Sequence, residues 1–292
     1  MDRPHLQIAN LTAAGAGPEF GALFDAFTQS NPEHGLVFHP DATVLESSER
    51  NRAVFVHGED GVTHGTRGRV GDRSSPLEVG DVALLRPGEA LELDAPAQLL
   101  VFEVPESFED SIPTFLRPDF DPRITDTPGG CATQVDAYRR VVLTWLAENG
   151  AYNCRALNTH RVRMVDSFSH YHPIVGGFDE MYLVQHVAPS ARLYTSDRVA
   201  EIERPEQVSA DVLDGLVVAT PIRTGDLVWV RRGAMHRAVG GVLAHVITVP
   251  GFVPGREIGV DHHLRAIDER LGLEGEAALP YHVEASTRAV VK

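Results

Sequence analysis

The chain has 292 residues, 43% apolar and 23% charged, and a formal net charge of −15. That balance excludes the basic footprint on which nucleic-acid binding rests, and no apolar run approaches the ~18 residues of a transmembrane helix. The opening MDRPHLQIANLTAAGAG lacks a basic start and an apolar core, so no secretory leader is expected. With two cysteines, Cys131 and Cys154, there is no disulfide framework, and a reduced, cytoplasmic setting fits.

In chain order, Pro18 to Ser30 places Phe20, Leu23, Phe24 and Phe27 at helical spacing, and Asn31-Pro32 ends the run. Ala53 to His57, Leu77 to Leu85 and Ala90 to Val104 then read as strands divided by Gly, Asp and Pro turns. Residues 105–132 are rich in Pro, Asp and Gly and read as a connection. Gln134 to Asn149 is predicted as an amphipathic helix with Val135, Tyr138, Val141, Val142, Trp145 and Leu146 on one stripe and Gly150 as its stop. A second β-rich region runs from Cys154 to Val253, and Asp261 to Leu271 is predicted as a helix with Gly272 behind it. The division expected from this pattern is an N-terminal barrel with its helix over 1–128, a connecting helix over 129–153, and a C-terminal barrel with its helix over 154–292.

The chemistry concentrates in SHYHPIVGGFDEMYLV and GDLVWVRRGAMHRA. His170 and His172 are two apart, so on a strand they share a face. Glu180 opens the apolar run Met181 to Val184. His236 follows the strand-like Leu227 to Val230 and a turn containing Gly233. Three imidazoles and a carboxylate are the usual ligand set of a divalent transition metal, and ligands from several strands can meet inside a small β-barrel. Asp179, beside Glu180, is the carboxylate that could replace it. There is also an internal repeat: LEVGDVALLRPG from Leu77 matches IRTGDLVWVRRG from Ile222. It pairs Gly80 with Gly225, Asp81 with Asp226 and Gly88 with Gly233, and puts Leu91 where the second copy has His236.

These residues resemble the motifs of the cupin superfamily: a His-x-His pair followed by Glu, then a Gly-flanked strand followed by His. The resemblance implies a mostly β fold of two cupin-type (double-stranded β-helix, or jelly-roll) barrels with a few flanking helices, a bicupin whose first barrel has lost its metal motif. It implies His170, His172, Glu180 and His236 as ligands of one divalent metal per chain, Fe(II) preferred, with Mn, Ni or Zn as alternatives. It also implies a homodimer; the alternative is a monomer in which the two barrels satisfy one another. The chain departs from the pattern in three places. Seven residues separate His172 from Glu180, which Pro173 and Gly176-Gly177 would absorb in an enlarged turn; Arg231 stands at the motif's proline; Gly240 stands at its asparagine.

Several other residues have two readings. Tyr182 shares parity with Glu180 and, with His245 on the following strand, is a candidate for orienting substrate or moving a proton; a buried core role is the alternative for both. Arg161 and Arg163 have parity opposite to the histidine pair and are expected outside the barrel. His262 and His263, adjacent on a helix, point about 100° apart and are read as surface or packing residues. The stretch from Ala188 to Thr224, with a short helical piece around Gln207 to Leu213, is either a lid or an interface loop. There is no phosphate loop, dinucleotide fingerprint or nucleophile elbow. The function expected is a metal-dependent oxidoreductase, first an Fe(II) dioxygenase acting on a small organic molecule. The alternatives are a redox-neutral isomerase, lyase or decarboxylase, or a binding module. No nucleic-acid or membrane partner is expected.

Overall fold

The computed structural model describes residues 4–12, 14–58, 65–130, 132, 137–146, 148 and 150–292. The fold is mostly β, in two antiparallel sheets. Seven strands between Gly35 and Leu116 form the first; eleven form the second, nine of them running from Arg139 to Gly259, with Leu6–Thr12 and Gly15–Ala16 added at one edge. Among the described residues no helix is long and apolar enough to cross a membrane.

The apolar runs of the sequence are continuous rather than alternating because both faces of the central strands are buried. In Asn51–His57, Ala53 and Phe55 face the seam between the sheets, while Val54 and Val56 face the interior of the first sheet. In Asp179–Val187, Met181 and Leu183 face the same seam, and Tyr182 and Val184 face the interior of the second sheet. The expected helix Pro18–Ser30, with Pro in its first turn, lays Leu23 and Phe27 into the seam. Phe27 and Phe55 each meet Phe102 edge to face, at 6.0 and 5.6 Å. Each of these fully buried rings contributes about 1.5–3 kcal/mol by burial.

The repeat seen in the sequence is a repeat of hydrogen bonds. Gly80 and Gly225 adopt φ of 97° and 88°, and Gly88 and Gly233 adopt 82° and 91°, conformations open to glycine. Asp81 accepts the amide of Glu78 at 2.8 Å, and Asp226 accepts that of Arg223 at 2.7 Å. The Gly80 amide donates to Val56 and the Gly225 amide to Val184; the Gly88 amide donates to Ser48 and the Gly233 amide to His172.

Three features depart from the sequence reading. The expected helix over Gln134 to Asn149 is a strand, Arg139–Leu143, paired with Asn158–Asp166; Gln134, Val135, Ala147 and Asn149 lie outside the described residues. Its β-branched run fits both periods, and pairing at an available sheet edge decides between them. Gly150 is not a helix stop. It is a close approach, where a Cβ would come within 2.9 Å of Thr144 and Val141. Finally, Leu6–Thr12 pairs with Asp226–Val230, so a strand from the expected N-terminal unit belongs to the second sheet.

The stretch 188–224 does not hang over the site as a lid. It forms Arg192–Ser196, a short helix Val199–Ile202, two 3-10 turns and Val218–Pro221, and packs Val199, Ile202, Val208 and Leu216 against Leu264 and Ile267 of the C-terminal helix Asp261–Leu271. Cys154 is a free, buried thiol; Cys131 lies outside the described residues.

Burial pushes the His57 imidazole down to about 4. The folded chain therefore keeps His57 neutral while the unfolded chain protonates it near 6.5. Its stabilisation is complete above pH 6.5 and is lost as pH falls from 6.5 to 4. Denaturant titrations across that window are expected to show a decline that is shallower in His57→Leu by up to ~3 kcal/mol over the whole interval. Equal slopes in the two chains would refute the assignment.

Candidate metal centre

His170 lies on the short strand His170–Tyr171, opposite His236 at the start of the long strand Met235–Val249. Glu180 lies between Val230 and Thr248 on the neighbouring strands. One long strand can serve both ends of this arrangement because it turns a corner at Gly240 and Gly241, with φ of 82° and 89°; a Cβ on Gly240 would come within 2.4 Å of the Ser190 carbonyl. The residue at the motif's asparagine position thus has a backbone task. The enlarged turn between His172 and Glu180 closes through Gly177, whose hydrogen faces the Pro173 carbonyl where a Cβ would sit at 2.1 Å.

The four side chains converge. One donor atom from each of His170, His172, Glu180 and His236 lies within 4.8 Å of the others, and this is the one such group among the described residues. The Glu180 carboxylate stands 3.3 Å from His236 Nε2 and 3.7 Å from His172 Nε2. The ring centroids of His170 lie 4.3 Å from those of His236 and 5.3 Å from those of His172. Asp179 turns the other way. It is fully buried and accepts from Arg232 Nε at 2.8 Å, the Arg232 amide at 3.0 Å, Asn31 at 2.7 Å and Trp229 Nε1 at 3.2 Å. Successive strand residues point to opposite faces, so only one of the two carboxylates can face the histidines.

The donor set fits a divalent metal. The Nδ1–H groups of His170 and His236 donate to the carbonyls of Phe168 and Ala234 at 3.1 and 3.2 Å, and the Phe178 carbonyl serves His172 in the same way. That fixes the tautomer and leaves a lone pair on each Nε2. All three Nε2 atoms are buried without a hydrogen-bond partner. Burial, aided by the neighbouring imidazoles, drives His170 well below its usual range, and burial brings His172 down to about 3. Burial opposes charge on His236 as well, but Glu180 outweighs it and raises the imidazole; in return, His236 and the other two rings outweigh burial and hold the Glu180 carboxyl far below its usual range. His170 and His172 are thus held neutral and Glu180 ionised, as metal binding requires, while His236 shares a proton with Glu180 that a bound cation would displace.

The group opens into a cavity of ≈ 430 Å³. Phe178, Phe252, Val141, Leu143 and Leu146 supply apolar wall; Arg139, Asn158, His160, Thr248, Glu257 and Lys292 supply polar wall. Glu257 is 3.5 Å from His170 Nε2, and burial pushes its carboxyl up to about 7. Burial likewise brings His160 down to about 3.

Of the two expected substrate-handling residues, neither lines this cavity. Tyr182 does face the barrel interior, its ring 6.4 Å from that of His236, but it is packed in the core beneath the ligands. His245 faces outward, to the first sheet: its Nε2–H donates to the Gly80 carbonyl at 2.8 Å, its Nδ1 meets the Thr159 hydroxyl at 3.1 Å, and Phe55 packs on its edge at 5.1 Å. Register explains this, since His245 pairs with Leu183 on the seam face while Thr248 pairs with Glu180 on the cavity face. Arg161 is outside the barrel as expected, yet buried in the same seam, bonded to Gln185, Tyr138 and Asp119. Sequence reasoning passed over His160, although the parity that placed Arg161 outside places His160 inside. Glu257, in a loop, carries no such signal. His262 and His263 stack on each other at 3.9 Å, away from the cavity.

The register of the repeat identifies what the first sheet has instead. Glu180 pairs with Val230 and Thr248; the matching partners in the first sheet, Leu85 and Glu103, both pair with Arg52. The Arg52 guanidinium donates to the carbonyls of Glu46 and Glu89 at 2.8 and 2.7 Å. A covalently attached cation thus ties together the segments that correspond to the histidine-bearing ones.

No family model matches the chain, and no curated protein matches it. Solved structures with a similar path include an oxalate decarboxylase variant from Bacillus subtilis (11% identity, 85% of this chain and 79% of that one covered, TM-score 0.48) and an oxalate decarboxylase–formate complex from Lactobacillus farciminis (12%, 82% and 83%, TM-score 0.45). AerE from Microcystis aeruginosa is another (8%, 74% and 86%, TM-score 0.45). The functional reading rests on the side chains of the site rather than on these likenesses.

Proposed function

We propose that the chain is a metal-dependent bicupin enzyme that turns over a small organic molecule at one divalent metal held by His170, His172, Glu180 and His236. The observation that carries this reading is the convergence of three partnerless Nε2 atoms and one carboxylate, with His170, His172 and Glu180 at the wall of a ≈ 430 Å³ cavity and His236 behind them. Such a donor set suits Fe(II), Mn(II), Ni(II) or Zn(II). When bound, the metal supplies Lewis-acid charge and, as Fe(II), a coordination position for dioxygen beside the substrate. The chain's own part is to fix the imidazole tautomers through the Phe168, Phe178 and Ala234 carbonyls, to keep Glu180 ionised, and to exclude bulk water with Phe178 and Phe252. Arg52 at the Glu180 register of the first sheet supports one metal per chain, with the first barrel as scaffold.

Oxygen-dependent chemistry at Fe(II) is the first reading within this class. Redox-neutral chemistry is the second, favoured by His160 and Glu257, two groups able to carry a proton in the same cavity. The deciding experiment loads the chain with Fe(II), Mn(II), Ni(II) or Zn(II) and follows a small-molecule panel with and without air. Oxygen uptake stoichiometric with product supports the dioxygenase. Product formed in the absence of oxygen supports an isomerase, lyase or decarboxylase. Fully loaded chains that bind but turn over nothing overturn the enzyme reading in favour of a binding module.

A further inference from the structure

The wall of the cavity also carries an unusual arginine. Arg139, on the strand Arg139–Leu143, lines the cavity, and its Nη1 donates to the Thr127 carbonyl at 3.1 Å. Its Nε is buried without a hydrogen-bond partner among the described residues. No described carboxylate lies within ion-pair distance of it, whereas Arg161, Arg232, Arg237 and Arg117 each hold an aspartate. An unpaired guanidinium donor out of water is costly, and in a chain of net charge −15 a carboxylate partner was easily had. Anchoring through Nη1 leaves the Nε–Nη2 edge free, which is the fork that grips a carboxylate with two parallel hydrogen bonds. Gly130, with φ +57°, stands in front of this edge; a Cβ there would touch Nε and Nη2 at 3.5 Å, and glycine leaves that space open.

A second cation stands on the same cavity. Lys292, the sole lysine of the chain, lines it and lies 4.4 Å over the ring of Phe168, which itself stacks on His170 at 4.5 Å. It too has no carboxylate within ion-pair distance among the described residues; the buried Glu257 carboxyl in the same wall feels the charge of both Lys292 and Arg139 from further off and answers the two cations only in part.

We propose that the substrate is a small carboxylic acid whose carboxylate is held side-on by the Nε–Nη2 edge of Arg139, with Lys292 adding charge, while its reacting end lies toward His170, His172 and Glu180. The inference rests on the metal reading only for where that second end lies. Arg139 is a specificity-determining residue in this scheme, and the cavity discriminates acids from the corresponding amides because a neutral amide leaves the guanidinium unanswered.

The test is calorimetric binding of benzoate and succinate, against benzamide and succinamide, to chain loaded with Zn(II) and to chelated chain. Arg139→Gln and Arg139→Lys are run beside the parent, with metal content measured for each. The expected result is that at least one acid binds the parent at least about tenfold tighter than its amide. Arg139→Gln should erase that preference, and Arg139→Lys should recover only part of it, with metal content unchanged. Equal binding of acid and amide, no binding of either acid, or a preference that survives in Arg139→Gln overturns the proposal. Failure of the metal reading shows separately, as a parent chain that takes up no metal; the acid preference of Arg139 is then read from the chelated chain.

Discussion

A chain carrying His236→Ala is expected to retain less than about a hundredth of the parent's metal affinity. Elemental analysis after purification without added metal, followed by reconstitution, measures it. In the parent, a free metal concentration 100 times the dissociation constant stabilises the fold by about 2.7 kcal/mol and raises the melting temperature; in the variant the same addition contributes less than about 0.4 kcal/mol. The size of the effect follows from His236's place in the cluster. It is the imidazole nearest the Glu180 carboxylate, at 3.3 Å, and the chief group keeping that buried carboxyl ionised. Its loss removes one donor and weakens another. Unchanged metal content in the variant would refute the ligand set.

Asp179→Ala is expected to be the most damaging single truncation near the site, at about 3–5 kcal/mol of unfolding free energy, because it strands buried partners of a charge rather than deleting a metal ligand. Arg232, Trp229 and Asn31 all point their donors at Asp179, and Asn31 belongs to the end of the N-terminal helix. The neighbouring change Glu180→Gln reverses the pattern, with much of the metal affinity lost and far less of the apo stability. Denaturant unfolding of the metal-free chains separates the two roles. A Glu180→Gln chain as unstable as Asp179→Ala would contradict the division of labour between these adjacent carboxylates.

The ligand cluster was legible in the sequence because it is built from short-range regularities: a two-residue spacing, an acid at the mouth of a strand, and a glycine turn with a fixed count to the next histidine. The helices Pro18–Ser30 and Asp261–Leu271 were legible for the same reason, since apolar spacing, the Asn31-Pro32 stop and the glycine end at Gly272 are local signals. The readings that failed depended on long-range pairing. Arg139–Leu143 has a run compatible with either period, and only its partner strand Asn158–Asp166 makes it a strand. His245 lies on a strand as expected, but its face is set by register with Leu183 across the sheet. Arg139 and Glu257 reach the cavity from segments that are distant from the motifs in sequence, so the motifs could not announce them.

The repeated turns have a further consequence. Gly80–Asp81 and Gly88 in the first sheet reproduce the backbone bonds of Gly225–Asp226 and Gly233 in the second, although the first sheet has Leu91 and Arg52 where the second has His236 and Glu180. The molecule therefore carries its own control: one half builds the same turns with no imidazole cluster among its described residues. The turns therefore need no ion to form, and a chelated chain is expected to keep the architecture of both halves.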